Sequence, residues 1–178
     1  MNLLQDITKH NFALVLLDEE GYLKKLRDMI KFVKKTKCKI CFVCLSRPYK
    51  DVANNFKEEG IDIKRFFFID TLSSYYGEHA KEKNCLFLPS PVNLASVNYA
   101  LKEVLAKEKC KIIFFDTVSS LLIYQENSEI IKFTHNLVSE QQDTKKVFIV
   151  LKRNSIPEAD IKILRADLEM FADKTIDI

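Results

Sequence analysis

The sequence predicts an α/β fold of three layers, α/β/α, on a mostly parallel sheet, filling one domain over residues 1–178. Two observations predict it. Short continuous apolar runs, of the kind buried on both faces of a parallel sheet, alternate with longer stretches in which apolar residues recur every three or four positions. Strand-helix alternation of this kind gives parallel strands joined by helices that cover both faces.

Phe12-Ala-Leu-Val-Leu-Leu17 is the first strand. Tyr22, Leu23, Leu26, Met29, Ile30 and Val33 then mark one face of a helix, and Asp18, Glu19 and Glu20 suit its N-terminal end. Ile40 to Leu45 is the second strand, stopped by Ser46-Arg-Pro48, and a helix runs on to about Glu59 and ends at Gly60. Phe66 to Ile69 is a strand that ends at Asp70. A polar connection, Thr71 to Asn84, leads to a short strand, Cys85 to Leu88, closed by Pro89-Ser-Pro91. Asn93 can cap a helix whose buried stripe is Leu94, Val97, Leu101, Val104 and Leu105.

Ile112 to Phe115 is a strand that ends at Asp116, and a turn with Ser119-Ser120 opens the way to a helix holding Ile130, Ile131, Phe133, His135, Leu137 and Val138. Val147 to Leu151 is the next strand. Ser155 and Pro157 open a last helix, with Glu158 in the capping-box position, and Thr175 to Ile178 close the pattern as a strand.

Composition excludes several classes. Apolar residues make up 47% and charged residues 30%, as in ordinary globular proteins, and 178 residues suffice for a core that needs neither disulfide nor metal. No apolar run is long enough to span a bilayer, and Met1 to His10 holds no apolar signal core, so a cytoplasmic location is expected. Five cysteines without an export signal argue against a disulfide framework. Net charge is +3, but between Lys24 and Lys39 there are eight Lys or Arg and one acid, Asp28. Lys24, Lys25, Arg27, Lys31, Lys34 and Lys35 read either as a solvated helix face or as a surface for nucleic acid or an acidic partner.

In open parallel sheets ligands bind beyond the carboxyl ends of the strands. The residues there are Asp18 to Gly21, Ser46 to Pro48, Asp70 and Thr71, Asp116 and Thr117, and Lys152 to Asn154. Asp70 and Asp116, each behind an apolar strand, are placed to hold a metal or water, or to cap the loop that follows.

Lys111-Ile-Ile-Phe-Phe-Asp-Thr-Val-Ser-Ser-Leu-Leu122 resembles the Walker B strand of the RecA/KaiC superfamily. Ile40 to Ile63, with Leu45-Ser-Arg-Pro48 and the Gly60-Ile-Asp62 turn, is similar to the second strand-helix unit of KaiC-like proteins, and Phe66 to Asp70 to the strand that follows it. Glu169 to Ile178 looks like the Ala-Asp-(Gly)-x-Ile strand near the end of that core. The resemblance covers nearly the whole chain and implies a RecA-like fold. As a degenerate member it would be akin to archaeal KaiC-like paralogues or to the sensory domain of methanogens and methylotrophs.

The departures decide what the resemblance implies about function. A P-loop reads G-x-x-x-x-G-K-[ST], its glycines exposing backbone N–H groups to phosphate. Here the first strand is followed by Leu17-Asp-Glu-Glu-Gly-Tyr-Leu-Lys-Lys25, with one glycine and three acids. Carboxylates beside a triphosphate repel it by roughly 1–4 kcal/mol per charge pair. Where KaiC-like ATPases carry a catalytic Glu behind the second strand, this chain has Ser46-Arg47-Pro48. ATPase activity is therefore not expected, and no catalytic residue, metal or cofactor is assigned.

Cys38, Cys41 and Cys44 have iron–sulfur spacing, but strand alternation turns Cys41 away from the other two. His10, His79 and His135 lack zinc spacing, and His135 reads as a partly buried helix residue. Phe66, Phe67 and Phe68 read as strand core.

The expected function is that of a RecA/KaiC-like pseudo-ATPase, a regulatory or protein-interaction module. Its partner would be an active family member, a second copy of itself or a signalling protein. A second reading is a small-ligand or nucleotide sensor that uses a vestigial cleft of Asp18, Glu19, Gly21, Ser46, Arg47, Asp70, Thr71, Asp116 and Thr117, with Arg47 as the anion contact. A third is nucleic-acid binding through the basic helix.

Overall fold

The apolar runs pair as parallel strands. In this computed structural model, which describes residues 7, 9–33, 38–77, 81–89 and 92–178, seven strands form one sheet among the described residues. They are β1 (Phe12–Asp18), β2 (Ile40–Cys44), β3 (Phe66–Asp70), β4 (Cys85–Phe87), β5 (Ile112–Asp116), β6 (Lys145–Lys152) and β7 (Lys174–Asp177). The order across the sheet is β4-β3-β2-β5-β6-β1-β7, and every pairing is parallel. Lys34, Lys35, His79, Ser90 and Pro91 lie outside the described residues.

Among the described residues five α-helices join the strands: α1 (Tyr22–Val33), α2 (Tyr49–Glu58), α3 (Leu94–Glu108), α4 (Asn127–Glu140) and α5 (Glu158–Glu169). Strand alternation sorts the core into two layers. Along β1, Phe12, Leu14 and Leu16 pack on the side of α3, α4 and α5, and Ala13, Val15 and Leu17 on the side of α1 and α2. The second face is aromatic: Phe42 of β2 stacks on Phe114 of β5 at 5.4 Å, and Phe56 of α2 closes on Phe42, Phe66 and Phe68. Cys41 belongs to the first layer and Cys44 to the second, as alternation requires, and burial raises both thiols well above their ordinary pKa.

Local chemistry sets the helix ends. Asn93 caps α3, its Oδ1 accepting from the N–H groups of Ala95 (2.9 Å) and Ser96 (3.2 Å). Gly60, at φ +66°, ends α2 in a Schellman turn: Ile61 N–H donates to the Phe56 carbonyl and Gly60 N–H to that of Lys57.

Three readings need correction. The last helix has no Ser155 capping box: Pro157 occupies the cap position with no side-chain bond, and α5 begins at Glu158. Leu23 is 55% exposed, because it lies at the tip of α1 where no strand or helix covers it. His135 is exposed on the outer side of α4; the buried stripe there is Ile130, Phe133, Thr134 and Leu137.

Candidate functional site

Parallel strands bring their carboxyl ends to one edge of the sheet. Register places Cys44 of β2 between Asp70 of β3 and Asp116 of β5. Both carboxylates are fully buried. Their surroundings differ completely.

Asp70 is saturated. Its Oδ2 accepts from Tyr49 N–H (2.6 Å) and Ser73 Oγ (2.6 Å), and its Oδ1 from the N–H groups of Leu72 (2.7 Å) and Ser73 (2.9 Å). Pro48 at the cap position of α2 supplies no side-chain bond, so the carboxylate of the neighbouring strand takes that place at the positive end of the helix. Thr71 donates its hydroxyl to the Cys44 carbonyl at 2.8 Å. Both residues therefore tie β3 to β2 and α2.

Asp116 is the reverse. Among the described residues only Oδ2 has partners, Ser46 Oγ and Arg47 Nη2, each at 3.4 Å, and Oδ1 has none. Burial pushes the carboxyl up to about 7 from an ordinary 3.8, against a smaller pull downward from Arg153. Arg47 lies over the ring of Tyr22, 5.8 Å from guanidinium carbon to centroid, and burial lowers its pKa. The Nε atoms of Arg47 and Arg153 and the Tyr22 hydroxyl are buried without a partner among the described residues. Thr117 shares a 2.8 Å hydrogen bond with Ser120, and Ser119 bridges to the backbone of Leu151.

The structure thus joins Ser46, Arg47 and Asp116, gives Asp70 and Thr71 to the start of α2, and sets Asp18 apart. Strand β6 separates β1 from β5, and Asp18 is level with Lys152, about three residues past the level of Asp116, so at about 4.8 Å per strand and about 3.3 Å per residue the two acids stand on the order of 14 Å apart. Asp18 instead borders a cleft of about 260 Å³ with Lys152, Arg165 and Asp177. Glu19, Glu20 and Gly21 are exposed in the loop ahead of α1. On the basic helix Lys24 and Lys31 are exposed and Lys25 and Arg27 half-buried, and Glu59 of the α2 end neutralises part of it, pairing with Arg27 at 2.6 Å and Lys31 at 3.1 Å.

Sequence reasoning placed Arg153 only within a strand-end segment and Tyr22 only in a helix face. The arrival of Arg153 near Asp116 and of Tyr22 against Arg47 depends on the path of two loops, which no local pattern encodes. Among the described residues no three His, Cys, Asp or Glu side chains come together as a metal site, and no helix is long and apolar enough to cross a membrane.

This arrangement of a seven-stranded parallel sheet between helices, with a lone acid ending β5, has solved counterparts. The fold is KaiC-like. A KaiC-like protein from the hyperthermophilic archaeon Pyrococcus horikoshii superposes with a TM-score of 0.60 at 13% identity, over 94% of this chain and 72% of that one. A second P. horikoshii protein, uncharacterized and solved in complex with an unknown peptide, gives 0.67 at 13% identity, over 94% of this chain and 77% of that one. No family model matches the chain. No curated protein matches it either. In the KaiC-like fold of this chain the acid behind β5 meets an arginine from behind β2.

Proposed function

We propose that the chain is a RecA/KaiC-like pseudo-ATPase, a non-catalytic cytoplasmic module that acts by binding a protein partner. The observation that carries this reading is the contact of Arg47 with Asp116. A buried carboxylate that already faces a guanidinium, in surroundings that favour its neutral form, is poorly suited to hold a divalent cation beside phosphate. The loop behind β1 points the same way, since Asp18, Glu19 and Glu20 stand where a P-loop presents N–H groups. The neighbour in complex with an unknown peptide supports protein binding as a use of this fold.

Calorimetry with Mg-ATP at near-physiological salt, on the native chain and on Asp116→Ala, tests the reading. The expected result is no heat of binding from either protein up to millimolar nucleotide. Binding by the native chain that Asp116→Ala abolishes overturns it in favour of a nucleotide sensor.

A further inference from the structure

Strand β1 leads into α1 on one side of the sheet, and its neighbour β6 leads into α5 on the other. A crevice opens at the carboxyl edge wherever adjacent strands part in this way, and in parallel sheets such crevices take the ligand. Here it is the cleft of about 260 Å³ beside the first turns of α5. Alternation fixes which side chains enter it. Leu16 and Val150 are buried on the α5 side of the sheet, so Asp18 and Lys152, two residues further along each strand, stand on that same side. Ile161 of α5, also buried, completes an apolar floor. Register sets Asp18 level with Lys152 above that floor, and Asp177 of β7 level with Leu16.

Charge narrows the ligand. Three acids and three bases line the cleft, and four of the six have partners on the protein: Lys162 pairs with Glu158 at 3.1 Å, and Arg165 with Glu169 at 3.0 Å and more loosely with Asp177 at 3.9 Å. Asp18 and Lys152 are exposed, and neither makes an ion pair among the described residues. One open acid and one open base therefore stand side by side over an apolar floor. A polyanion meets as many acids as bases there and gains no net attraction. A molecule with one charge of each sign, a few bonds apart on an apolar body, matches the acid, the base and the floor together. The volume falls just under the roughly 300–1,000 Å³ of sites for drug-sized ligands, which suits a molecule of about ten heavy atoms. We propose that the cleft binds a free aliphatic α-amino acid, its ammonium on Asp18, its carboxylate on Lys152 and its side chain against Leu16, Val150 and Ile161. The site stands two strands from Asp116, so it holds or fails separately from the partner-binding reading.

Backbone amide NMR on the full chain tests it with three probes: leucine, 4-methylpentanoate, which lacks the ammonium, and 3-methylbutylamine, which lacks the carboxylate. Leucine is expected to shift the amides of Asp18, Val150, Lys152 and Ile161 in a saturable way at millimolar concentration. Each analogue, lacking one charge, is expected to bind at least about tenfold more weakly. Asp18→Asn should weaken leucine about tenfold and leave 4-methylpentanoate unchanged, and Lys152→Gln should weaken leucine about tenfold and leave the amine unchanged. Both side chains are exposed, so neither change threatens the fold. Leucine held no more tightly than either analogue, either variant binding leucine as the native chain does, shifts confined to other residues, or no saturable shift up to about 10 mM would each overturn the proposal.

Discussion

Asp70 and Asp116 flank the same residue, Cys44, from opposite sides, at the same level of the sheet and both fully buried, yet one carboxylate accepts four hydrogen bonds and the other has a bare oxygen. Four donors fixed by local backbone geometry make Asp70 a structural anchor. Two long contacts and an unmet Oδ1 make Asp116 the unsatisfied member of the pair.

Removing the anchor should cost stability. Asp70→Ala leaves the N–H groups of Tyr49, Leu72 and Ser73 without their acceptor, and about 3 kcal/mol should be lost in urea unfolding. A loss under about 1 kcal/mol would mean that water replaces the carboxylate at no cost.

The titration of Asp116 has a definite sign. Between an ordinary 3.8 and about 7 the folded chain keeps a proton that the unfolded chain has released. Its contribution to stability is therefore full below about pH 4, falls as the pH rises, and levels off above about 7, a change on the order of 4 kcal/mol. Asp116→Asn removes this titration. Stability measured against pH should show the variant gaining on the native chain from pH 5 to pH 8; parallel curves would refute the assignment.

Arg47→Met deprives the carboxylate of its nearest cation. The loss should be larger at pH 8, where Asp116 is charged, at roughly 3 kcal/mol, and smaller at pH 5, where it is neutral. Equal losses at the two pH values would show that Arg47 contributes by packing on Tyr22 alone.

Gly60→Ala tests the helix end. No heavy atom lies within 4 Å of where its Cβ would stand, so the change pays only for left-handed backbone at φ +66°, about 1 kcal/mol. A thermal scan that detects no loss would place the end of α2 elsewhere.

The strands were legible because parallel strands buried on both faces become unbroken apolar runs; Phe12 to Leu17 needs no other signal. Asn93 was legible because a cap is a local bond. The start of α5 was not, since Pro157 fits either the cap position or the one after it, and only backbone geometry decides between them. Leu23 shows the limit of periodicity: spacing puts it on the inner face of α1, but whether anything covers that face depends on α2, a separate part of the chain. The candidate site was half visible for the same reason. Ser46, Arg47 and Asp116 follow strands that turn out to be neighbours, whereas Asp18, chosen by the same rule, follows a strand two places away.

Strand β1 lies between β6 and β7, the last two strands of the sheet to be made. During synthesis the apolar segment from Phe12 to Leu17 is made well before either strand that it pairs with. Until β6 and β7 have followed, its edges stay open to other chains, and β1 is seated only with the last of the sheet.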